Sequence, residues 1–339
     1  MFYMKLSIGI VGLPNVGKST LFKILTKQEV NIANYPFATI DPNVGVVVVP
    51  DERLEKLAKL SNSKKIVPAI VEFYDIAGLV KGANKGEGLG NKFLSHIRET
   101  NAIIHIVRCF KSAEIIHIEN EVNPLKDLEI INTELILKDL ETIEKRFISL
   151  EKEIRTGDKQ KLKDLEILKI IKENLNKNIL AINLGEIAAE PAVKGLNLLT
   201  AKKVIYLLNG KPDDVNEELK NKIKSLNADY LIVDLSMFDV NSVNELIKKA
   251  YEILGLISFL TTGEDETRAW TIKKESKAPQ AAGEIHTDFE KKFIKAEVIN
   301  WQKLLEAGLW NNAKQKGLIR LEGKEYIVQD GDVMVIKHG

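Results

Sequence analysis

The sequence predicts a mixed α/β protein in which a parallel sheet is interrupted by a long helical hairpin and followed by a small β-rich domain. Three observations support this fold class. Apolar runs alternate with helix-like segments in the first part of the chain, a charged central stretch has helical periodicity, and short apolar runs separated by turns follow Gly263. With 339 residues, the chain is long enough for two or three compact units.

The first part of the chain has the strand and helix rhythm of a parallel sheet. Short runs rich in Val and Ile read as buried strands, and two similar runs occur beyond the central stretch, so we expect the sheet to resume there. We assign this domain to residues 1–125 and 199–257. Its predicted strands are 5–11, 44–49, 69–74, 102–107, 203–208 and 230–235, and its first predicted helix is Lys18–Thr26.

Residues 126–198 predict a helical insertion into this domain. Apolar residues recur at intervals of mostly three or four between 128 and 154, with Lys and Glu between them. Gly157 and Asp158 break the pattern, which resumes between 162 and 175. We therefore expect two antiparallel helices packed as a hairpin. Such a hairpin serves either as a spacer or as a docking arm.

The last segment, residues 258–339, predicts a small mixed β domain. Its short apolar runs are separated by turn sequences such as Glu322-Gly323 and Asp330-Gly331. One helix is expected within it, at 301–307. The predicted strands are 268–272, 293–298, 319–321, 324–328 and 333–337.

The overall composition excludes several classes of protein. Lys and Arg total 49 against 48 Asp and Glu, so any attraction to nucleic acid must come from local patches. Cys109 is the single cysteine and cannot form an internal disulfide. No apolar run approaches the roughly 18 residues that cross a bilayer, and the first residues do not resemble a secretory signal. We expect a cytoplasmic monomer with no membrane partner.

The strongest functional signal is GLPNVGKS, which matches the phosphate-binding pattern GxxxxGK[ST] between a predicted strand and a predicted helix. The glycines allow backbone N–H groups to converge on phosphate oxygens, and the helix N-terminus adds positive potential. Lys18 contributes a full positive charge and a catalytic role, and Ser19 is expected to bind Mg²⁺. The predicted nucleotide-binding residues of this loop are Gly12, Pro14, Asn15, Val16, Gly17, Lys18, Ser19 and Thr20.

A second element stands where a P-loop hydrolase needs it. Asp75 begins the sequence DIAG directly after a predicted strand, so its carboxylate is placed to hold Mg²⁺ through water. The Gly78 N–H is placed to meet the γ-phosphate. The polar segment 34–41 is suited to a switch loop in which Thr39 completes the Mg²⁺ shell.

These residues carry a resemblance to a known family. The segments GLPNVGKST, NYPFATIDPNVG, DIAGLVKGANKGEGLGNKFL, RETNAIIHIVRCF and the C-terminal RAWTIKKESKAPQAAGEIHTDFEKKFIKAEVI closely resemble the YchF family. The resemblance runs from about residue 5 to the C-terminus. It implies a Ras-like P-loop domain interrupted by a coiled-coil hairpin, a C-terminal β-grasp TGS domain, and slow nucleotide hydrolysis associated with ribosomes, translation or stress control.

The family also lacks the glutamine that positions water in related hydrolases, and here Leu79 follows Gly78. A leucine cannot orient water by hydrogen bonding, so another group is needed. Asn15 resembles the asparagine that holds K⁺ in cation-dependent relatives, where the ion replaces an arginine finger. His117 is the alternative, because histidine titrates near neutral pH and can position or deprotonate water.

The base-recognition segment departs from the guanine pattern NKxD. After the strand 203–208 the chain has Asn209, Gly210, Lys211 and Pro212, and Pro212 has no acceptor side chain. A site that loses such a polar contact can lose about 10⁴- to 10⁵-fold of its discrimination. We therefore predict that ATP is favoured and that GTP also binds, with Asp213 or Asp214 as alternative acceptors for guanine.

The leading functional prediction is a Mg²⁺-dependent P-loop nucleotide hydrolase that acts as a nucleotide-dependent switch on the ribosome. The alternatives are a guanine-specific translation GTPase and a nucleotide-gated RNA-binding or ribosome-binding module in which hydrolysis is incidental. The C-terminal segment from Ile257 has 13 basic and 13 acidic residues, so only a local patch of Lys273, Lys274 and Lys277 with Trp270 suggests RNA contact.

Overall fold

The computed structural model describes residues 7–26, 44–74, 91–111, 122–154, 158–237 and 239–339. Its strands are β1 Ser7–Val11, β2 Val44–Val48, β3 Ile66–Val67, β4 Ile70–Tyr74, β5 Ala102–Arg108, β6 Lys203–Asn209, β7 Asp229–Val233, β8 Leu256–Thr262, β9 Thr267–Lys273, β10 Phe293–Asn300, β11 Arg320–Glu322 and β12 Asp332–His338. Its helices are α1 Lys18–Thr26, α2 Glu52–Ser61, α3 Asn91–Glu99, α4 Pro124–Ile154, α5 Lys159–Leu175, α6 Glu186–Ala189, α7 Pro191–Lys194, α8 Glu217–Ser225, α9 Val240–Leu254, α10 Ala278–Ile285, α11 Thr287–Lys291, α12 Trp301–Ala307 and α13 Trp310–Gln315.

The first sheet has the strand order β2-β4-β1-β5-β6-β7. Strands β4, β1, β5, β6 and β7 run parallel, so their C-terminal ends lie along one edge. The prediction of a parallel sheet is wrong for β2, which pairs with β4 in the antiparallel direction, with Val44 opposite Tyr74. An apolar run predicts a strand but not its direction, because direction depends on how the connecting segment returns to the sheet.

The parallel strands form the base of the main hydrophobic core. The side chains of β1 and β5 are fully buried, as expected for central strands covered on both faces by helices, whereas those of β7 at the edge are partly exposed. Helices α1 and α9 present apolar faces to this sheet, with Leu21 and Leu25 buried from α1 and Leu246 and Ile247 buried from α9. The core therefore holds the loop between β1 and α1 against a rigid platform.

Helices α4 and α5 form the predicted hairpin. Lys161 at the start of α5 lies 3.4 Å from Glu153 near the end of α4, and Lys172 near the end of α5 pairs with Glu144. The residue number on α4 falls as the residue number on α5 rises, so the two helices are antiparallel. Asp158 caps α5 by accepting a hydrogen bond from the backbone N–H of Gln160 at 2.9 Å. The hairpin encloses its own apolar cluster.

The base of the hairpin is fastened to the sheet by Asp139, a fully buried carboxylate on α4. It accepts hydrogen bonds from the backbone N–H of Leu199 at 2.9 Å, from that of Thr200 at 2.7 Å and from the Thr200 hydroxyl at 2.7 Å. Arg98 of α3 lies 3.4 Å away. Burial raises the pKa of Asp139 although these donors oppose that shift. One carboxylate thus joins α3, α4 and the turn before β6.

The second sheet has the order β11-β10-β12-β8-β9-β3. It contains two elements that the sequence did not predict: β8, which pairs with β9 along its whole length, and β3, which comes from the first part of the chain. Residues 324–328, predicted as a strand, instead form a turn with one isolated bridge at Ile327. The prediction of one helix is also wrong, because α10, α11 and α13 accompany α12.

Arg53 of α2 links the two sheets. Its guanidinium forms a bidentate pair with Asp51, with both N–O distances 2.7 Å, and its Nη1 lies 2.7 Å from Asp330 before β12. Asp330 also accepts a hydrogen bond from the Ser258 N–H at 2.9 Å. These contacts hold the second sheet against the helix that follows β2.

The tryptophans and the predicted basic patch can also be located. Trp270 is buried, and its Nε1 donates to Thr261 at 2.9 Å, so it belongs to the core of the second sheet and not to a surface patch with the exposed lysines 273, 274 and 277. Trp301 and Trp310 are partly buried against the main core. Within the described ranges, no helix combines the length and the apolar character that crossing a bilayer requires.

Candidate functional site

The loop between β1 and α1 has the backbone shape of a phosphate cradle. Gly12 and Gly17 have φ angles of +152° and +110°, and Asn15 lies in the left-handed region at +63°. A Cβ atom on Gly12 would lie 2.5 Å from the carbonyl oxygen of Ile106. Only glycine fits at this position, because the loop passes directly over β5. The glycine spacing in the sequence therefore has a steric cause in the fold.

Lys18, the first residue of α1, folds back across this loop. Its Nζ donates hydrogen bonds to the carbonyl oxygens of Gly12 at 2.9 Å and Leu13 at 2.7 Å. The ammonium group is thereby fixed beside the loop at the helix N-terminus, where backbone N–H groups already favour anions. The arrangement concentrates positive charge where the phosphates of a nucleotide would lie.

His105 on β5 lies beneath the loop as a neutral group. Burial, and then the positive charge of Lys18, lower its pKa to about 3. Its ring packs against Tyr206 with the centroids 5.1 Å apart. His105 is therefore uncharged at neutral pH and does not compete with Lys18 for an anion.

Asn209 at the end of β6 connects the phosphate loop to the neighbouring loop. Its Nδ2 donates to the carbonyl oxygen of Val16 at 2.8 Å, and its Oδ1 accepts a hydrogen bond from the Leu235 N–H at 3.1 Å. The side chain is buried. Both polar atoms of the amide are thus engaged with the protein, so Asn209 positions Val16 and Gly17 from below.

The residues after Asn209 form a closed turn. The Gly210 N–H donates to the Val233 carbonyl at 2.9 Å, and the Lys211 N–H donates to the Asp214 carboxylate at 2.8 Å. Pro212 begins a short 3₁₀ turn that ends at Asp214. The Asp214 carboxylate, an alternative acceptor for guanine in the sequence prediction, is therefore turned toward the backbone of its own turn.

A cleft of about 580 Å³ lies between the phosphate loop and the loop after β7. Gly210, Lys211 and Pro212 are not among the residues that line it, and Val16 is buried beneath the loop with Gly12. The lining residues are Asn15, Gly17, Lys18, Ser19, Thr20, Phe110, Asn209, Asp234, Leu235 and Ser236. The structure thus brings together most of the predicted loop residues and Asn209 around one cleft.

Four lining residues were not predicted from the sequence: Phe110, Asp234, Leu235 and Ser236. Phe110 follows the end of β5, and the other three follow the end of β7. The signal available in the sequence was their place after apolar runs, because ligands bind at the C-terminal edge of a parallel sheet. The predicted strand 230–235 included two of these residues, whereas β7 ends at Val233.

Ser19 is the predicted magnesium ligand that the structure describes. It is exposed to the cleft, directly after Lys18, and offers a hydroxyl oxygen of the kind that Mg²⁺ accepts. The residue type and its place beside the phosphate cradle fit a Mg²⁺ ion shared with phosphate oxygens. Five further predicted site residues lie outside the described residues: Thr39, Asp75, Gly78, Leu79 and His117.

Comparisons with known proteins agree with this geometry. Residues 7–139 match the family model described as "50S ribosome-binding GTPase", and residues 256–339 match a model named YchF-GTPase_C and described as "Protein of unknown function (DUF933)". The chain is 47% identical to "Ribosome-binding ATPase YchF" of Bacillus subtilis, with 98% of each chain covered. It is 45% identical to the protein of that name in Mycoplasma genitalium, over 98% of this chain and 99% of the relative.

A solved structure is similar over the same length. The YchF GTPase of Schizosaccharomyces pombe superposes with a TM-score of 0.84 at 39% sequence identity, covering 98% of both chains. The likeness therefore includes the helical insertion and the C-terminal segment as well as the P-loop domain.

Proposed function

The chain belongs to the YchF family, and from this premise we propose that it is a Mg²⁺-dependent P-loop nucleotide hydrolase that favours ATP, also binds GTP, and switches its association with the ribosome according to the bound nucleotide. The observation that carries the proposal is the phosphate cradle, in which Lys18 Nζ is held at the carbonyl oxygens of Gly12 and Leu13. The relatives' name supports ATP as substrate and the ribosome as partner.

The residues of the chain divide the chemical work. Backbone N–H groups of residues 12–20, all except Pro14, hold the phosphates, and Lys18 stabilises the negative charge that develops during phosphoryl transfer. Asn209 supports the loop through its hydrogen bond to the Val16 carbonyl. We retain Leu79 as the residue that replaces a water-positioning glutamine, and His117 as a candidate to position water. Gly78 is proposed to meet the γ-phosphate, and Asn209, Gly210 and Lys211 to border the base.

We assign the metal site to Ser19, Thr39 and Asp75. When bound, Mg²⁺ would neutralise phosphate charge and orient the triphosphate. Asn15, exposed beside the cleft with a left-handed backbone, is the proposed K⁺ contact. The donor set of carboxylate, hydroxyl and amide oxygens supports both hard cations.

The remaining segments are proposed to contact the ribosome in the cytoplasm. We retain three domains: the P-loop domain at 1–125 and 199–257, the coiled-coil insertion at 126–198, and a TGS domain at 258–339. A β-grasp fold for the last is supported by the sheet order β11-β10-β12-β8 with α10 packed against its core. The antiparallel hairpin is an arm of the kind that reaches a large partner.

The proposal is tested by comparing the wild type with Lys18→Ala and with Lys23→Ala, an exposed lysine on the same helix. We expect Mg²⁺-dependent ATP hydrolysis in the wild type and Lys23→Ala, and a loss of at least about 100-fold in Lys18→Ala. Ribosome co-sedimentation with a non-hydrolysable ATP analogue and with ADP measures the switch. Equal hydrolysis by all three proteins would refute the enzymatic assignment.

Base preference is tested by titrating ATP and GTP into the wild type and Pro212→Asp. ATP binding at least as tightly as GTP supports the proposal, and a GTP preference of several orders of magnitude would replace it with a guanine-specific GTPase. Tight binding with no turnover, even with ribosomes and K⁺, would instead indicate a nucleotide-gated binding module.

A further inference from the structure

We propose that Asp234, in the loop after β7, determines base specificity by accepting a hydrogen bond from the amino group at position 6 of adenine. The inference rests on the proposed ATP preference and names the residue that creates it. It moves the base contact from the turn at 209–212 to the next strand end.

The order of the strands places Asp234 at the base end of the cleft. Strands β1, β5, β6 and β7 are parallel neighbours, so their C-terminal ends follow one another along the sheet edge. The phosphates bind at the end of β1, so a nucleotide lying along the edge carries its base toward the ends of β6 and β7. Asp234 and Ser236 line the same cleft as Lys18 and Ser19.

The residues at the end of β6 have little left to offer a base. The Asn209 amide is engaged with Val16 and Leu235, and neither Lys211 nor Asp214 lines the cleft. Pro212 has no polar side chain. The next strand end along the edge therefore supplies the polar group.

The Asp234 carboxylate is held in one orientation. Its Oδ1 accepts hydrogen bonds from the backbone N–H of Ser236 at 3.0 Å and from the Ser236 hydroxyl at 2.5 Å. These bonds, followed by the positive charge of Lys211, lower the pKa of Asp234, so the group is ionised at neutral pH. Among the described residues, no hydrogen bond is directed to Oδ2, which is left as an acceptor.

One free carboxylate oxygen matches adenine better than guanine. Adenine presents an amino group at position 6, which donates to a carboxylate, whereas guanine presents a carbonyl oxygen there, which the carboxylate repels. An aspartate that recognises guanine uses both carboxylate oxygens to accept hydrogen bonds from two N–H groups of the base. In Asp234, Oδ1 already accepts two hydrogen bonds from Ser236. Phe110 also lines the cleft, and the Arg108 guanidinium carbon lies 4.5 Å from the centroid of its ring. This phenyl ring offers an apolar contact to the purine base.

The test is a cycle that removes either the carboxylate or the amino group. The proteins are the wild type, Asp234→Ala, Asp234→Asn and, as a matched control, Glu218→Ala, which removes an exposed acid on α8. The ligands are MgATP, the Mg²⁺ complex of purine riboside triphosphate, which lacks the amino group, and MgGTP. Affinities are measured by competition against a fluorescent nucleotide, and inorganic tripolyphosphate reports on the phosphate cradle alone.

We expect the wild type and Glu218→Ala to bind ATP about 10- to 100-fold more tightly than purine riboside triphosphate, the effect of one hydrogen bond to a charged group. Asp234→Ala should reduce this ratio to about twofold without changing tripolyphosphate affinity. Asp234→Asn should retain part of the ratio and narrow the gap between ATP and GTP, because an amide can donate to the guanine carbonyl.

If Asp234→Ala kept the wild-type preference for ATP over purine riboside triphosphate, the inference would be overturned. Loss of that preference in Glu218→Ala alone would also overturn it. Failure of the proposed function looks different, because wild-type protein would then neither prefer ATP over GTP nor hydrolyse it. A properly held phosphate cradle, shown by normal tripolyphosphate binding, excludes misfolding of the variant as the cause.

Discussion

Replacing Asn209 by alanine should loosen the phosphate loop even without nucleotide. The substitution removes the bonds to the Val16 carbonyl at 2.8 Å and from the Leu235 N–H at 3.1 Å, both in the buried interior. A buried polar group left without its partner costs about 1 to 3 kcal/mol, so the two together cost roughly 2 to 6 kcal/mol. Even the lower value reduces the equilibrium constant between the ordered and the open loop by about 30-fold.

The assay must report on the loop itself. The three tryptophans all lie in residues 256–339, so their fluorescence follows the second sheet and its helices. Amide hydrogen exchange of peptides covering residues 8–20 measures the loop directly, and a fluorescent ATP analogue measures affinity. Asn174→Ala is the control, because that amide makes one exposed bond to the Ile170 carbonyl. Its effect should stay within about 0.5 kcal/mol.

We expect faster exchange in the loop of Asn209→Ala and a weaker affinity for the ATP analogue, by as much as about 30-fold at the lower cost of about 2 kcal/mol. Unchanged exchange with weakened ATP binding would refute the reasoning, because it would mean that Asn209 contacts nucleotide directly and does not support the loop.

Three further results are expected. Gly17→Ala should weaken nucleotide binding at least about 10-fold in the same fluorescence assay. The added Cβ would lie 2.6 Å from a Leu235 methyl carbon and 2.8 Å from Asn209 Nδ2, at a φ of +110° that disfavours alanine. An affinity equal to that of the wild type would contradict this steric argument. Asp139→Ala should lower the free energy of unfolding by about 3 kcal/mol or more in urea titrations followed by circular dichroism. Asp158→Ala, which removes an exposed helix cap, should lower it by about 1 kcal/mol. Similar losses in the two variants would show that the buried carboxylate has no special role. Burial lowers the pKa of Lys202 from 10.5 to about 8. Between these pH values the unfolded chain binds more protons than the folded chain, so the free energy of unfolding should rise with pH. Lys202→Met should flatten this rise, and a pH profile identical to that of the wild type would exclude the effect.

The candidate site was predictable where its chemistry is contiguous in sequence. Residues 12–20 form a cradle because the glycines, Lys18 and the helix that starts there are neighbours along the chain, and local backbone geometry decides their shape. Thr39, Asp75, Gly78, Leu79 and His117 stay predictions. The place of Asn209 beside the base also stays a prediction, and the geometry adds that its amide joins Val16 and Leu235.

The sequence by itself determined the six strands of the first sheet, the antiparallel hairpin and the phosphate loop, because periodicity and short-range spacing specify them. Only the tertiary structure decided the direction of β2, the transfer of β3 into the second sheet, and the meeting of Asn209 with Asp234 and Ser236 at one cleft. Each of these depends on contacts between residues far apart in the chain. A local sequence pattern does not specify such contacts, because they form only when the core packs and the strand ends align.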